Sequence, residues 1–309
     1  MHIFISIASY CDELLFFTIN DCFIKAKNPE NLRFAIVDQN EKSQKQEINK
    51  LNFASQIKYV YINKLETFGV SWARNIVFSL WDNETYLLQI DSHTLFEKDW
   101  DESLIQQHTK LLTISKKPII SSYPYGFKFD ENNNPVFKKP SGQNVLILRP
   151  HPETRLEEEN AVLRFRGEHV KSDEAIEGYH IAAGFIFTNA SFIEEIPYDP
   201  YLYFHGEEQS LSIRAYTRGW SIYHPKWIPL YHYYKTRGED YKTHHWHKSI
   251  EKKRSLSYAY LKERAKKRIN RLFYGDGMKN GVYGLGNEKT LNDFINFSGI
   301  DYKNKTIKT

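Results

Sequence analysis

The sequence predicts an α/β fold with a largely parallel central sheet. Three observations carry that reading. Four short apolar runs stand at 3–8, 32–37, 57–62 and 86–90; helix-spaced stretches separate the first from the second and the third from the fourth; and a chain of 309 residues can bury a core under both faces of a sheet. With 41% hydrophobic and 26% charged residues the balance is globular, not disordered. The formal charge of +4 falls far short of the positive field of a dedicated nucleic-acid binder, so no nucleic-acid partner is expected.

Taken in order, 3–8 is too short and too uniformly apolar for a helix, and it runs into Ser9-Tyr10, as a buried strand does before a loop. Asp12-Glu13 open a helix through Leu14, Leu15, Thr18, Ile19, Cys22 and Phe23, spaced by threes and fours, and Asn28-Pro29 stops it. Strands follow at 32–37 and 57–62, a helix at 71–80 and a fourth strand at 86–90. Sheets of this kind bind ligands beyond the carboxyl ends of their strands. Residues 128–178 lack long patterns; they read as strands near 118–128 and 144–149 with long loops between and after them. An apolar run at 181–188 precedes a helix from 207 to about 218 with Gly219 at its end. Short strands follow at 220–224 and 230–234.

From 251 to 271 nine Lys/Arg stand against two Glu, while Tyr258, Leu261, Ala265, Ile269 and Leu272 recur at helical spacing. This is a basic amphipathic helix, suited either to packing on the body or to peripheral contact with a membrane surface. No apolar run approaches the roughly 18 residues of a membrane span, and the first residues lack the basic start of a signal peptide. Cys11 and Cys22, the only two cysteines, form neither a disulfide framework nor a metal-binding spacing. Together these features suggest a cytoplasmic setting, at most peripheral to the inner face of a membrane. Aromatic residues make up 15% of the chain, more than most cores need, and serve either a Tyr-rich core or a platform for sugar or base.

The strongest chemical signal is Asp91-Ser92-His93 at the end of the fourth strand. A carboxylate and an imidazole two residues apart at a strand terminus can face one divalent ion, with Mn²⁺ favoured over Mg²⁺ by the nitrogen ligand. The bland alternative is a loop-capping Asp91 and a packed His93.

The segment Gly69-Val70-Ser71-Trp72-Ala73-Arg74-Asn75, followed by Tyr86 to Thr94, resembles the signature of the hydroxyproline-polypeptide (Skp1-type) N-acetylglucosaminyltransferase family. The opening Ile5-Ser6-Ile7-Ala8-Ser9-Tyr10-Cys11-Asp12-Glu13-Leu14 is similar to the start of that family, with Cys11 where an Arg is common, and Ala26-Lys27-Asn28-Pro29 matches a further motif. The resemblance is good over 3–125, looser over 180–272 and poor between. It implies a GT-A fold, a nucleotide-sugar-binding sandwich that uses a UDP-sugar donor and a divalent ion. The domains implied are a catalytic unit at 1–240 (nucleotide half 1–125, acceptor half 126–240) and a C-terminal lid and helical extension at 241–309.

Residue roles follow from the resemblance. In the neighbouring polypeptide N-acetylgalactosaminyltransferases an Asp-Ser-His triplet is joined by a distant histidine, here His232, whose bland reading is a core histidine. Their loop-to-helix motif is similar to Phe204 to Arg214, which would place Glu207 and Glu208 at the sugar or acceptor as catalytic residues with Asp91; helix capping is the plain alternative. Gly184 would leave room for the sugar ring. Ile7, Ser9, Tyr10 and Gln39 are the expected uridine contacts, and Lys235 and Arg237 the expected diphosphate contacts. Arg74 would pair either with the donor or with the 82–84 turn. Three histidines at 244, 245 and 247 cannot share one ion on a helix, so the segment with Trp246 reads as a lid over the nucleotide. The function implied is retaining transfer of a sugar, N-acetylglucosamine first, from a UDP-sugar to a hydroxyl on a protein or glycan acceptor. A non-catalytic nucleotide- or carbohydrate-binding protein on the same scaffold is the alternative, and a two-metal phosphoesterase lacks ligands.

Overall fold

The computed structural model describes residues 1–138, 144–234, 244–279 and 281–308. The chain begins β1 (Ile3–Tyr10), α1 (Leu15–Lys25), β2 (Leu32–Asn40), a single turn α2 (Lys45–Ile48), β3 (Ile57–Asn63), α3 (Val70–Phe78) and β4 (Tyr86–Asp91). It continues through β5 (Thr94–Phe96), α4 (Trp100–Leu111), β6 (Pro118–Ser121), β7 (Tyr125–Phe129), β8 (Pro135–Phe137) and β9 (Asn144–Pro150). Then come β10 (Phe165–Lys171), β11 (Ile176–Gly178), β12 (Phe185–Asn189), α5 (Phe192–Glu195), α6 (Glu207–Thr217), β13 (Ser221–His224) and β14 (Leu230–Tyr233). The end holds α7 (Lys248–Glu251), α8 (Tyr258–Tyr274), α9 (Leu291–Ser298), β15 (Ile300–Asp301) and β16 (Thr306–Ile307).

Eight strands form the central sheet in the order β11-β13-β6-β12-β4-β1-β2-β3. β3, β2, β1 and β4 run parallel. Beyond β4 the sheet turns mixed, because β12 runs against both β4 and β6, and β11 against β13. The expected parallel arrangement therefore holds for the first half of the chain, where helices cross between strands.

Strand parity divides the core into two layers. Ile3, Ile5 and Ile7 face α1 and α4, against Leu15, Ile19, Trp100 and Leu104; Phe4 packs on the other side with Ala73 and Val77 of α3 and Leu211 and Ala215 of α6. The helix α4 was not evident in the sequence. Its inner face carries Asp101 and His108 beside Trp100, Leu104 and Leu111, and the Asp101 carboxylate accepts the Lys27 and Asn28 backbone N–H groups at 2.6 and 2.9 Å.

A third cluster joins residues 156–163 and the region around Tyr203 to the C-terminal elements. Leu261, Ala265, Ile269, Leu272 and Phe273 of α8 are all buried in it. The apolar stripe read from the sequence is thus spent inside the molecule, while Lys252, Lys253, Lys262, Lys267 and Arg271 are exposed and Arg268 turns inward to Asp199. No helix among the described residues is long and apolar enough to cross a membrane. The segment 128–178 holds more regular structure than its sequence suggests: β8 pairs with β7, and β9 with β10 in a two-stranded ribbon.

Candidate functional site

Asp91 ends β4 at the carboxyl edge of the parallel half, as the ligand-binding rule for such sheets requires. The turn after it is pinned from below by α1. Thr18 Oγ1 donates to the Ser92 carbonyl at 2.8 Å and accepts the Thr94 N–H at 3.0 Å. The second, four-stranded sheet, β5-β14-β7-β8, brings in the distant histidine: β14 runs antiparallel to β5, with His232 opposite Thr94, and the Tyr233 N–H donates to the His93 carbonyl at 3.0 Å. Asp91, His93 and His232 each present one ligand-type atom, all within 4.8 Å of one another, and among the described residues no other such group occurs. His232 Nε2 lies 3.2 Å from Asp91 Oδ2, while its Nδ1 is buried without a hydrogen-bond partner.

Two further side chains set this trio. Asp12 Oδ2 lies 2.6 Å from His93 Nδ1 and also accepts from Ser92 Oγ at 2.9 Å, while Oδ1 takes the Leu14 N–H at 2.9 Å. A carboxylate only accepts, so His93 carries its proton on Nδ1 and offers Nε2 as its ligand atom. On the other side, Arg74 of α3 donates to Asp91 Oδ1 at 2.8 Å and to Glu207 Oε1 at 2.7 Å. Arg74 does not pair with the 82–84 turn, one of the two uses expected for it. It is a buried bridge between two carboxylates.

The charges follow from that geometry. Burial pushes the Asp91 carboxyl upward, but the His232 hydrogen bond and the Arg74 charge outweigh it and hold it well below the usual carboxylate range. Burial pushes the His232 imidazole down, toward the neutral form that ligates metals. One guanidinium does not suffice for two carboxylates: burial, with Glu208 and Asp91 close by, pushes Glu207 up to about 8 despite Arg74.

Two cavities meet at Asp91. One, of about 510 Å³, is lined by Ala8, Tyr10, Gln39, His93, His232 and Trp246 among others. The other, of about 1110 Å³, is lined by Arg74, Gly184, Glu207, Glu208 and Trp246, with α8 and residues 153–165 as its outer wall. Of the expected nucleotide contacts, Tyr10 and Gln39 line the smaller cavity. Ile7 and Ser9 do not. Strand parity turns Ile7 into the core and buries Ser9, and it is Ala8 that faces the cavity. At Gly184 a Cβ would sit 2.8 Å from Asp91 Oδ2, so this glycine makes room for the carboxylate itself. Gly206, at φ +88°, lets the α6 start lie against Ile269 of α8.

The three histidines at 244, 245 and 247 part company. His244 lines the smaller cavity; His245 is buried with its ring nitrogens 2.5 and 2.9 Å from the Tyr203 and Thr67 hydroxyls; His247 caps α7, accepting from the Ser249 N–H. Lys235 and Arg237 lie outside the described residues. Asp12 stood within the quoted opening motif but read only as a helix start; its role emerges once β1 and β4 are neighbours.

These features together define an α/β fold of the GT-A type. The chain aligns over 96% of its length with the structure of GalNAc-T7 with UDP, GalNAc and Mn²⁺ (TM-score 0.54, 13% identity), covering 55% of that chain. It aligns over 90% with residues 1–349 of TarS from S. aureus in complex with UDP (TM-score 0.50, 13% identity), covering 74% of that chain. The sequence model of the glycosyltransferase (GlcNAc) family matches residues 2–58 and 40–304, and the chain belongs to that family. It spans about half the length of the GalNAc-T7 structure. No curated protein matches the sequence.

Proposed function

We propose that this chain is a metal-dependent, retaining glycosyltransferase that moves N-acetylglucosamine from UDP-N-acetylglucosamine to a hydroxyl on a protein or glycan. One observation carries the reading: the Asp91, His93 and His232 trio stands at the seam of two cavities, at the carboxyl end of β4. Family membership supports the transferred sugar, and the resemblance of the opening motifs supports retention. The smaller cavity has the volume of a typical nucleotide or cofactor site, and the larger has room for an acceptor beside the sugar.

One carboxylate and two imidazoles suit Mn²⁺, and the orphaned His232 Nδ1 and the Asp12-fixed His93 mark both rings as set for ligation. When bound, the ion would neutralise the donor diphosphate and stabilise it as it leaves. Tyr10, Gln39 and Trp246 hold the nucleoside, with Trp246 as part of a lid, and Lys235 and Arg237 are assigned to the diphosphate. Arg74 fixes Asp91 and Glu207 relative to each other. Glu207 and Glu208 flank the sugar and the approaching hydroxyl. The bond from the sugar's anomeric carbon to the β-phosphate oxygen breaks, its electrons leaving on the diphosphate. The acceptor oxygen bonds to that carbon on the same face, and its proton passes to the diphosphate oxygen. Residues 1–125 supply the donor half, 126–240 the acceptor half and 241–309 the lid and extension. The free thiols of Cys11 and Cys22 suit a reducing compartment, and any membrane contact of 251–271 would be electrostatic.

The test is UDP release from UDP-N-acetylglucosamine, UDP-N-acetylgalactosamine and UDP-glucose with and without Mn²⁺, followed by NMR of the product's anomeric proton. Release that needs Mn²⁺, is fastest with the first donor and gives a retained anomer supports the reading. A protein that binds UDP but turns over none of the three is the non-catalytic alternative.

A further inference from the structure

We propose that His180 is a positioning residue for Glu208, holding that carboxylate where it receives the acceptor hydroxyl. This rests on the glycosyltransferase reading above and assigns a task to a residue that no sequence motif singles out.

The two glutamates that open α6 have different surroundings. Glu207 is drawn inward to Arg74, with its second oxygen buried and unpartnered. Glu208 faces the larger cavity with a third of its side chain exposed. Its Oε1 accepts the Ala183 N–H at 2.8 Å, which leaves Oε2 for other company. That oxygen lies 3.7 Å from Nε2 of His180.

His180 is only 2% exposed, and Nε2 is sealed from solvent with no hydrogen-bond partner. A ring nitrogen sealed in protein without a partner is unfavourable, and with the proton on Nε2 the carboxylate before it is the group that relieves this. The ring cannot turn away. It is stacked on Phe165 with centroids 3.4 Å apart and planes within 3°, and the next residue's N–H is tied to Ser212 of α6 at 2.8 Å. The separation is a few tenths of an ångström beyond a hydrogen bond, a distance that closes when substrate fills a site. Once closed, His180 fixes the Glu208 rotamer from behind, and the cavity side of Oε2 accepts a hydrogen bond from the acceptor hydroxyl. The acceptor's proton leaves on the diphosphate, so the pair is asked only to position the hydroxyl. Phe165 opens β10, so the 128–178 segment reaches the reacting group through this stack.

A double-mutant cycle on Mn²⁺-dependent UDP release from UDP-N-acetylglucosamine, with water as acceptor, tests the coupling. Glu208→Gln and His180→Phe, which keeps the stack, should each slow release at least about tenfold with the donor KM unchanged. The double variant should be no slower than Glu208→Gln, and His180→Gln, which can still donate, should regain most of the rate. The His180 ring ¹⁵N resonances should move in Glu208→Gln. Losses that multiply, a wild-type rate in His180→Phe, or unmoved resonances overturn the proposal. Wild-type protein that releases no UDP overturns the donor reading instead, and the ring resonances then decide the pairing alone.

Discussion

Asp91 serves two neighbours at once, and its two oxygens are the hinge of the site. Oδ1 is committed to Arg74, while Oδ2 is the atom shared with His232. Replacing Asp91 by Asn keeps the shape but removes the charge, so turnover should fall by at least about two orders of magnitude with a near-normal melting temperature. Near-normal UDP release with unchanged metal dependence would remove Asp91 from the site. A different residue contributes to the acid sensitivity of the fold. His224 is buried, its Nδ1 donating to the Ser121 carbonyl at 2.7 Å, and burial pushes its imidazole down to about 4 from 6.5. Between those two values the unfolded chain takes up a proton that the native state refuses. Stability contributed by the neutral ring is therefore fully present above pH 6.5 and falls as pH drops through the window, by on the order of 3 kcal/mol. Urea unfolding at pH 7 and pH 4.5 should show this loss, and it should shrink in His224→Gln. An equal loss in both proteins would place the acid sensitivity elsewhere.

Two short turns do the positioning at the level of elements. The β1–α1 turn supplies Asp12 and the β4–β5 turn supplies His93; they meet only because β1 and β4 are paired. Asp12→Ala should weaken Mn²⁺ affinity about 10- to 100-fold, the usual cost of losing a ligand's hydrogen-bond partner, without displacing UDP's other contacts. A Mn²⁺ titration of UDP release reads it, and an unchanged midpoint would leave Asp12 a mere helix start. The same logic shows what the sequence could reveal. Asp91, His93 and the Glu207–Glu208 pair were legible because each sits at a strand end or helix start that local pattern marks. Ile7 and Ser9 lie close in sequence to the cavity, but parity, which needs the sheet, turns them away from it. The helix α4 hid because Asp101 and His108 interrupt its apolar face, and both are buried for reasons that lie in other elements. Likewise β10 alternates weakly, since its strand is half-exposed in a two-stranded ribbon.

Across the whole molecule, the C-terminal helix α8 walls the larger cavity with one edge and closes the third core cluster with another. Ile269 is its keystone, fully buried and in contact range of the α6 start at Gly206. Ile269→Ala should cost about 2–5 kcal/mol in urea unfolding and lower Glu208-dependent turnover alongside it. A variant that loses stability but no activity would show that α8 only buttresses the fold. In the proposed reaction an ion held by residues from both sheets joins donor to protein. The most direct check is a Mn²⁺ titration of the melting temperature at fixed UDP, for wild type and His232→Ala. Wild type should show a shift that needs both Mn²⁺ and UDP, and His232→Ala an unchanged ligand-free melting temperature with the titration midpoint moved to higher Mn²⁺. A destabilised variant that keeps the wild-type midpoint, or a UDP shift indifferent to Mn²⁺, would contradict that role of the ion.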